Sequence, residues 1–243
     1  MRILVFQHIP VEHPGIFRDF LTEDEISWDA VELDAGQRIP SLDGYDALWV
    51  MGGPMDVWEE EKYPWLAAEK AAIHEAVSER GMPFLGVCLG HQLLAAALGG
   101  RVAPMKAPEV GILDVRLAAE ATHDRLFSGL ANPIKCLQWH GAEVVEPPDN
   151  GAVLASSPAC AVQALRVGNR AYGLQYHVEL TASTISDWGA VPAYQQSLER
   201  TLGAGSMPRL DAEARLRMPT FNRDARCLYD NFMSLVVRES QPS

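Results

Sequence analysis

The chain has 243 residues, 48% apolar and 21% charged, with a formal net charge of −12. That length can bury the core of one large α/β domain, and the acidic balance argues against nucleic acid or an anionic membrane as the main partner. Four scattered cysteines without a C-x-x-C pair give no zinc site and no disulfide framework, the opening MRILVFQHIP is too short an apolar run for a leader, and no run approaches a membrane span. A reducing cytoplasm is the expected compartment.

In chain order, residues 3–6 read as a first buried strand. Residues 15–25 follow as a helix with Ile16, Phe17, Phe20 and Leu21 on one face. Residues 28–33 form a second strand, Asp43-Gly44 a turn, and residues 47–51 a third strand running into Gly52-Gly53-Pro54. A helix over 64–80 opens on Pro64, repeats Leu66, Ile73 and Val77 on one face, and stops at Gly81 and Pro83. A short strand over 84–87 and a Leu/Ala-rich helix over 91–98 come next. Strands alternating with helices imply a mostly parallel sheet with helices on both faces. Beyond Gly99-Gly100 the pattern turns β-rich, with strands at 111–117, 136–139, 142–145 and 153–156. Residues 161–167 and 171–177 then pair as a hairpin about the two-residue turn Gly168-Asn169. From Thr181 the chain turns helical, at 182–188, 193–202, 210–217 and 222–238, the last with Leu228, Phe232, Leu235 and Val236 on one face. The expected architecture is one α/β domain over 1–243. A mostly parallel central sheet carries antiparallel additions, and a helical extension (181–243) packs on it.

Cys88 stands at the join of strand and helix, with Gly86 and Gly90 two residues to either side. A thiol at such a join precedes a helix N-terminus, where unpaired N–H groups and the positive dipole end favour thiolate. The glycines permit a sharp turn and close backbone approach, and G-x-C-x-G is the cysteine counterpart of the nucleophile elbow. A buried structural cysteine is the competing reading. The second anchor is Gly173-Leu174-Gln175-Tyr176-His177-Val178-Glu179. Residues two apart in a strand face the same side, so His177 and Glu179 can share a site in which the carboxylate fixes the imidazole. Thiol, imidazole and carboxylate together supply nucleophile, base and orienter. Ligand sites in open α/β sheets lie beyond the C-terminal ends of strands, and Cys88, Gly52-Gly53 and His177 all fall there. A structural His–Glu pair and a plain turn at Gly52-Gly53-Pro54 are the competing readings. That turn is no G-x-G-x-x-G, so no dinucleotide is expected. The histidines at 8, 13, 74, 91, 123 and 140 show no metal spacing, and neither metal nor cofactor is expected. Trp65, Trp139 and Trp188 read as core or rim.

Four pieces together resemble the class I, triad-type glutamine amidotransferases. They are Met51-Gly52-Gly53-Pro54, Gly86-Val87-Cys88-Leu89-Gly90-His91-Gln92-Leu93, Trp139-His140-Gly141 and Leu174-Gln175-Tyr176-His177-Val178-Glu179. Within the family the chain is similar to free-standing chains like the glutaminase part of GMP synthetase. The resemblance implies a flavodoxin-like fold and a chemistry. Cys88 would attack the side-chain amide of glutamine. His177 would take the thiol proton and pass one to the leaving ammonia, and Glu179 would hold His177. Hydrolysis of the γ-glutamyl thioester would then give glutamate. The backbone N–H groups of Gly53 and Leu89 would form the oxyanion hole, and Gly52, Gln92 and the backbone at His140 and Gly141 would help bind substrate. Two positions depart from the family pattern. Val178 stands where proline is usual, and Ala142 replaces an aspartate on the substrate side, which bears on whether free glutamine is the preferred substrate.

No nucleotide-binding loop is present and there is no room for a synthetase domain, so the ammonia is expected to pass to a separate partner chain. The alternatives are a free-standing hydrolase of γ-glutamyl amides or peptides and, behind it, a non-catalytic regulatory protein of the same fold.

Overall fold

In the computed structural model, which describes residues 1–237, the first half alternates strand and helix. The order is β1 (Arg2–Gln7), α1 (Phe17–Glu23), β2 (Ser27–Glu32), β3 (Ala47–Val50), α2 (Trp65–His74), β4 (Phe84–Val87) and α3 (Leu89–Ala97). The second half is β-rich, with β5 (Arg101–Leu117), β6 (Ile134–Glu146), β7 (Gly151–Ser156), β8 (Ala164–Val167) and β9 (Ala171–Leu174). Helices α4 (Thr184–Gly189), α5 (Pro192–Leu202) and α6 (Met207–Val237) follow. The strands make a nine-stranded sheet in the order β2-β1-β3-β4-β9-β8-β7-β5-β6. The first five run parallel and the rest add antiparallel pairings. The parallel part has the flavodoxin-type order, which places a crevice beyond the strand ends.

Successive residues of β1, β3 and β4 feed two cores. Ile3, Val5, Trp49, Leu85 and Val87 pack with Phe17 and Leu21 of α1 and with Tyr229 and Phe232 of α6. Leu4, Phe6, Leu48, Val50 and Phe84 pack with Leu66 and Ile73 of α2 and with Leu93 and Leu94 of α3. Strands covered on both faces read as unbroken apolar runs, while their side chains still alternate between the faces. A third core lies between Leu137 and Trp139 of β6 and Ile185, Trp188, Tyr194, Leu198, Leu210 and Phe221 of the C-terminal helices.

Several sequence expectations need correction. The helix expected over 64–80 is α-helical only to His74 and widens to a π turn over Glu75–Glu79. Strand β5 starts at Arg101 rather than 111, because Arg101–Val115 pairs with β6 on both sides of a register shift between Pro104 and Glu109, and Arg116 and Leu117 go on to pair with β7. The strands expected at 136–139 and 142–145 are one strand, β6. Strand β8 starts at Ala164, and the hairpin loop has three residues, since Val167 pairs with Ala171. Strand β9 ends at Leu174, so His177 lies beyond it. A single antiparallel bridge to Leu137 seats His177 instead, its N–H donating to the Leu137 carbonyl at 2.9 Å. The helices expected over 210–217 and 222–238 are one, α6, with Pro219 inside it, and Arg238 lies outside the described residues. An interior proline typically costs about 3 kcal/mol. Burial of Leu210 and Ala214 before it, and of Phe221, Leu228 and Phe232 after it, outweighs that at about 1.5–3 kcal/mol per large side chain. Among the described residues no helix is long and apolar enough to cross a membrane.

Candidate active site

Cys88 occupies the turn between β4 and α3 with φ 53° and ψ −103°. A non-glycine residue held there stores on the order of 1–3 kcal/mol of strain and persists only when its surroundings fix it. The Cys88 N–H donates to the Leu174 carbonyl at 2.8 Å, and the Gly90 N–H donates to the Met51 carbonyl at 3.2 Å. A Cβ on Gly86 would run into the Gly90 carbonyl, and one on Gly90 into the Val50 carbonyl. Both glycines are therefore there for close approach of backbone, which the elbow reading anticipates.

The structure brings His177 and Glu179 to the same place. His177 Nδ1 lies 2.6 Å from Glu179 Oε1, with both side chains buried. The other carboxylate oxygen accepts the Val178 N–H at 2.9 Å. Proline, the usual residue of the resembled pattern, has no N–H to give, so valine here adds a hydrogen bond that clamps Glu179. With Nδ1 committed, the second ring nitrogen is left for the Cys88 sulfur, whose charge and hydrogen bonding favour the protonated ring. Burial disfavours charge on the ring, but the Glu179 carboxylate and the sulfur outweigh it and hold the His177 pKa well above its ordinary value. The Trp188 indole packs edge-on against the ring, centroids 4.6 Å apart.

Cys88 borders a cavity of about 140 Å³ that is lined also by Gly53, Leu89, Gln92, His140, Gly141 and Ala142. The backbone N–H groups of Gly53 and Leu89 have no acceptor among the described residues. Gln92 is a brace within this wall: Nε2 donates to the Ala142 carbonyl at 3.1 Å and to Gln175 Oε1 at 3.0 Å, and Gln175 Nε2 lies 3.7 Å from Cys88 Sγ. The His140 ring is engaged as well, with Nδ1 2.9 Å from the Ala142 carbonyl and Nε2 3.2 Å from Glu109 Oε2. Gly52, expected as a substrate contact, is not among the lining residues. Its carbonyl faces His8, and a Cβ there would sit 2.5 Å from Glu12 Oε2.

A family model described as "Glutamine amidotransferase class-I" matches residues 21–187. The chain belongs to this family. It is 32% identical over 210 residues to the glutamine amidotransferase-like protein YfeJ of Salmonella typhimurium, covering 84% of this chain and 85% of that one. It is 35% identical over 153 residues to a glutamine-hydrolyzing GMP synthase subunit of Sulfolobus acidocaldarius, covering 63% of this chain and 77% of that one. A solved glutamine amidotransferase from Thermotoga maritima superposes with a TM-score of 0.85 at 29% identity, over 96% of this chain and 97% of that one.

This amidotransferase chain builds part of its site from residues that no motif singled out. Helix α5 contributes Ala193, Tyr194 and Ser197 to the cavity wall. The Tyr194 hydroxyl donates to Glu12 Oε1 at 2.5 Å, Trp188 Nε1 donates to the Val11 carbonyl at 3.1 Å, and Trp139 Nε1 donates to the Tyr194 carbonyl at 3.2 Å. The loop after β1 is thereby tied to the C-terminal helices across the imidazole. Burial lifts the Glu12 carboxyl above its usual range, although His177 and Tyr194 pull it down. Half-buried Asp56 also lines the cavity, and burial, then Glu59, raises its pKa. Among the described residues no group of three or more His, Cys, Asp or Glu could hold a metal ion.

The four sulfurs are expected to differ in reactivity. Burial pushes the Cys136 thiol far up, the Cys160 thiol to about 12, and the Cys227 thiol above its ordinary value. Cys88 borders the cavity, and the His177 imidazole is placed to take its proton. Iodoacetamide at neutral pH is therefore expected to label Cys88 faster than the other three by about tenfold or more, read by peptide mass spectrometry. Equal, slow labelling of all four would sink the idea of an activated thiol.

Proposed function

We propose that the chain hydrolyses the γ-amide of glutamine through a thioester on Cys88, and that the ammonia released serves a separate synthetase chain. The observation that carries this reading is the buried His177 ring, its Nδ1 fixed 2.6 Å from Glu179 Oε1 and its protonated form favoured by the Cys88 sulfur. His177 accepts the thiol proton as the sulfur attacks the amide carbon. The Gly53 and Leu89 N–H groups receive the negative oxygen of the tetrahedral intermediate. His177 then returns the proton to the departing nitrogen, so ammonia leaves and the thioester remains. Water adds next, His177 takes its proton, and collapse releases glutamate and restores the thiol. Asp56, the acidic residue of the cavity wall, fits the substrate's α-ammonium where Ala142 offers no carboxylate. The partner reading rests on similarity to the Sulfolobus GMP synthase chain, whose name sets it apart as one piece of a larger enzyme.

Cleavage of γ-glutamyl peptides is the second reading. A cavity of about 140 Å³, walled on one side by α5, favours a ligand the size of a single amino acid. The purified chain is expected to release glutamate from glutamine and to act more slowly on a panel of γ-glutamyl dipeptides. Faster turnover of the dipeptides would reverse the choice, and no turnover of either would count against hydrolysis by the chain alone.

A further inference from the structure

Behind the Gly52-Gly53 turn lies a second imidazole–carboxylate pair that the chemistry above does not use. His8, just past the end of β1, and Glu69 of α2 are both fully buried. His8 Nε2 lies 2.9 Å from Glu69 Oε1, its ring stacks on Trp65 at 5.4 Å, and its Nδ1 lies 2.7 Å from the Gly52 carbonyl oxygen. Glu69 Oε2 has no hydrogen-bond partner among the described residues. A buried imidazole–carboxylate pair with an orphaned oxygen is a poor source of stability, so stability alone does not account for it.

We propose that His8, held by Glu69, is a positioning residue for the oxyanion hole. This rests on the reading of the Gly53 N–H as one of its two donors. A carbonyl cannot donate, so the 2.7 Å contact requires the proton on Nδ1, whichever partner holds the proton shared between Nε2 and Glu69. In a trans peptide the C=O of one residue and the N–H of the next point to opposite sides. Pinning the Gly52 carbonyl on His8 therefore aims the Gly53 N–H the other way, and that N–H is one of the two left without an acceptor beside Cys88. The pin is needed because a peptide between two glycines has no side chain to resist rotation. Trp65 and Glu69 are four residues apart and so lie on one face of α2, one stacking on the ring and the other fixing its far nitrogen.

The test compares His8→Leu, which removes the donor, with His8→Asn, whose amide N–H stands near the position of Nδ1. His8→Leu is expected to lose about 10²–10³ in kcat with little change in KM, the usual loss for one oxyanion donor. Iodoacetamide labelling of Cys88, which forms no oxyanion, should stay at the wild-type rate. His8→Asn should recover most of the kcat. In NMR spectra the Gly53 amide should be a single sharp signal in the wild type and broadened or doubled in His8→Leu. If His8→Leu does not fold, Glu69→Ala, which frees the far nitrogen of the ring, is expected to show the same broadened signal. An unchanged Gly53 signal, or wild-type kcat in a folded His8→Leu, overturns the proposal. The NMR comparison needs no substrate. A wild-type chain inactive on every γ-glutamyl compound would refute the hydrolase reading, and the Gly53 signal would still decide this one.

Discussion

Cys88→Ala is expected to lower glutamine hydrolysis by about 10⁴-fold or more, because a nucleophile that acts together with its base and orienter carries nearly the whole covalent route. The fold should survive, since the change removes one sulfur. The backbone conformation at this position sharpens the test. Alanine inherits the φ of 53°, whereas glycine adopts it freely. Cys88→Gly should be as inactive as Cys88→Ala yet unfold at a higher temperature, by an amount reflecting the roughly 1–3 kcal/mol of strain it relieves. Activity assays and thermal melts on the two variants suffice. Residual turnover within tenfold of wild type would remove Cys88 from the chemistry, and equal melting of the two would remove the strain.

Gly90→Ala is expected to have the largest effect on stability. An added Cβ would overlap the Val50 carbonyl at the C-terminal end of β3, the central strand of the parallel part, where no flexible side chain can yield. Either α3 lifts from β3 or the elbow shifts, and the core that Leu89, Leu93 and Leu94 share with β3 opens. A loss of more than about 4 kcal/mol belongs to this class of change, which for a chain of this length lowers Tm by roughly 10 °C or more. Gly36→Ala is the control. Its φ of +77° is unfavourable for alanine, but nothing lies within 4 Å of the new Cβ, so a few degrees are expected. A Gly90→Ala melt within a few degrees of wild type would show that the helix and sheet can part without loss.

What was legible in the sequence follows from what is local. β1, β3 and β4 stood out because strands buried on both faces are apolar throughout, and the elbow stood out because close approach admits only glycine at 86 and 90. Residues 101–110 were hidden: two prolines and a lysine within Arg101–Leu117 speak against a strand, and pairing with β6 decides the outcome instead. The pattern broke at Pro219 in α6 for the converse reason, that burial on either side overrides a local penalty. The supporting half of the site was equally hidden. Tyr194 meets Glu12 across 182 positions, Trp188 meets Val11 across 177, and His8 meets Glu69 across 61. No period or spacing marks such partners, since each lies on a different element and is ordinary in its own neighbourhood.

The pairing of β4 with β9, which brings Cys88 and the stretch leading to His177 together, has a consequence for the order of folding. Gln175, just past the end of β9, touches Cys88 across 87 positions of chain, and the whole antiparallel excursion from β5 to β8 lies between them. Closing so long a loop costs entropy before any contact repays it, and parallel pairings of this kind form late. On a ribosome the thiol, its helix and the Gly52-Gly53 turn all emerge well before His177. On the proposed reading, a nascent chain that has passed α3 holds its thiol without the imidazole, and the cavity is complete only once α5 has docked.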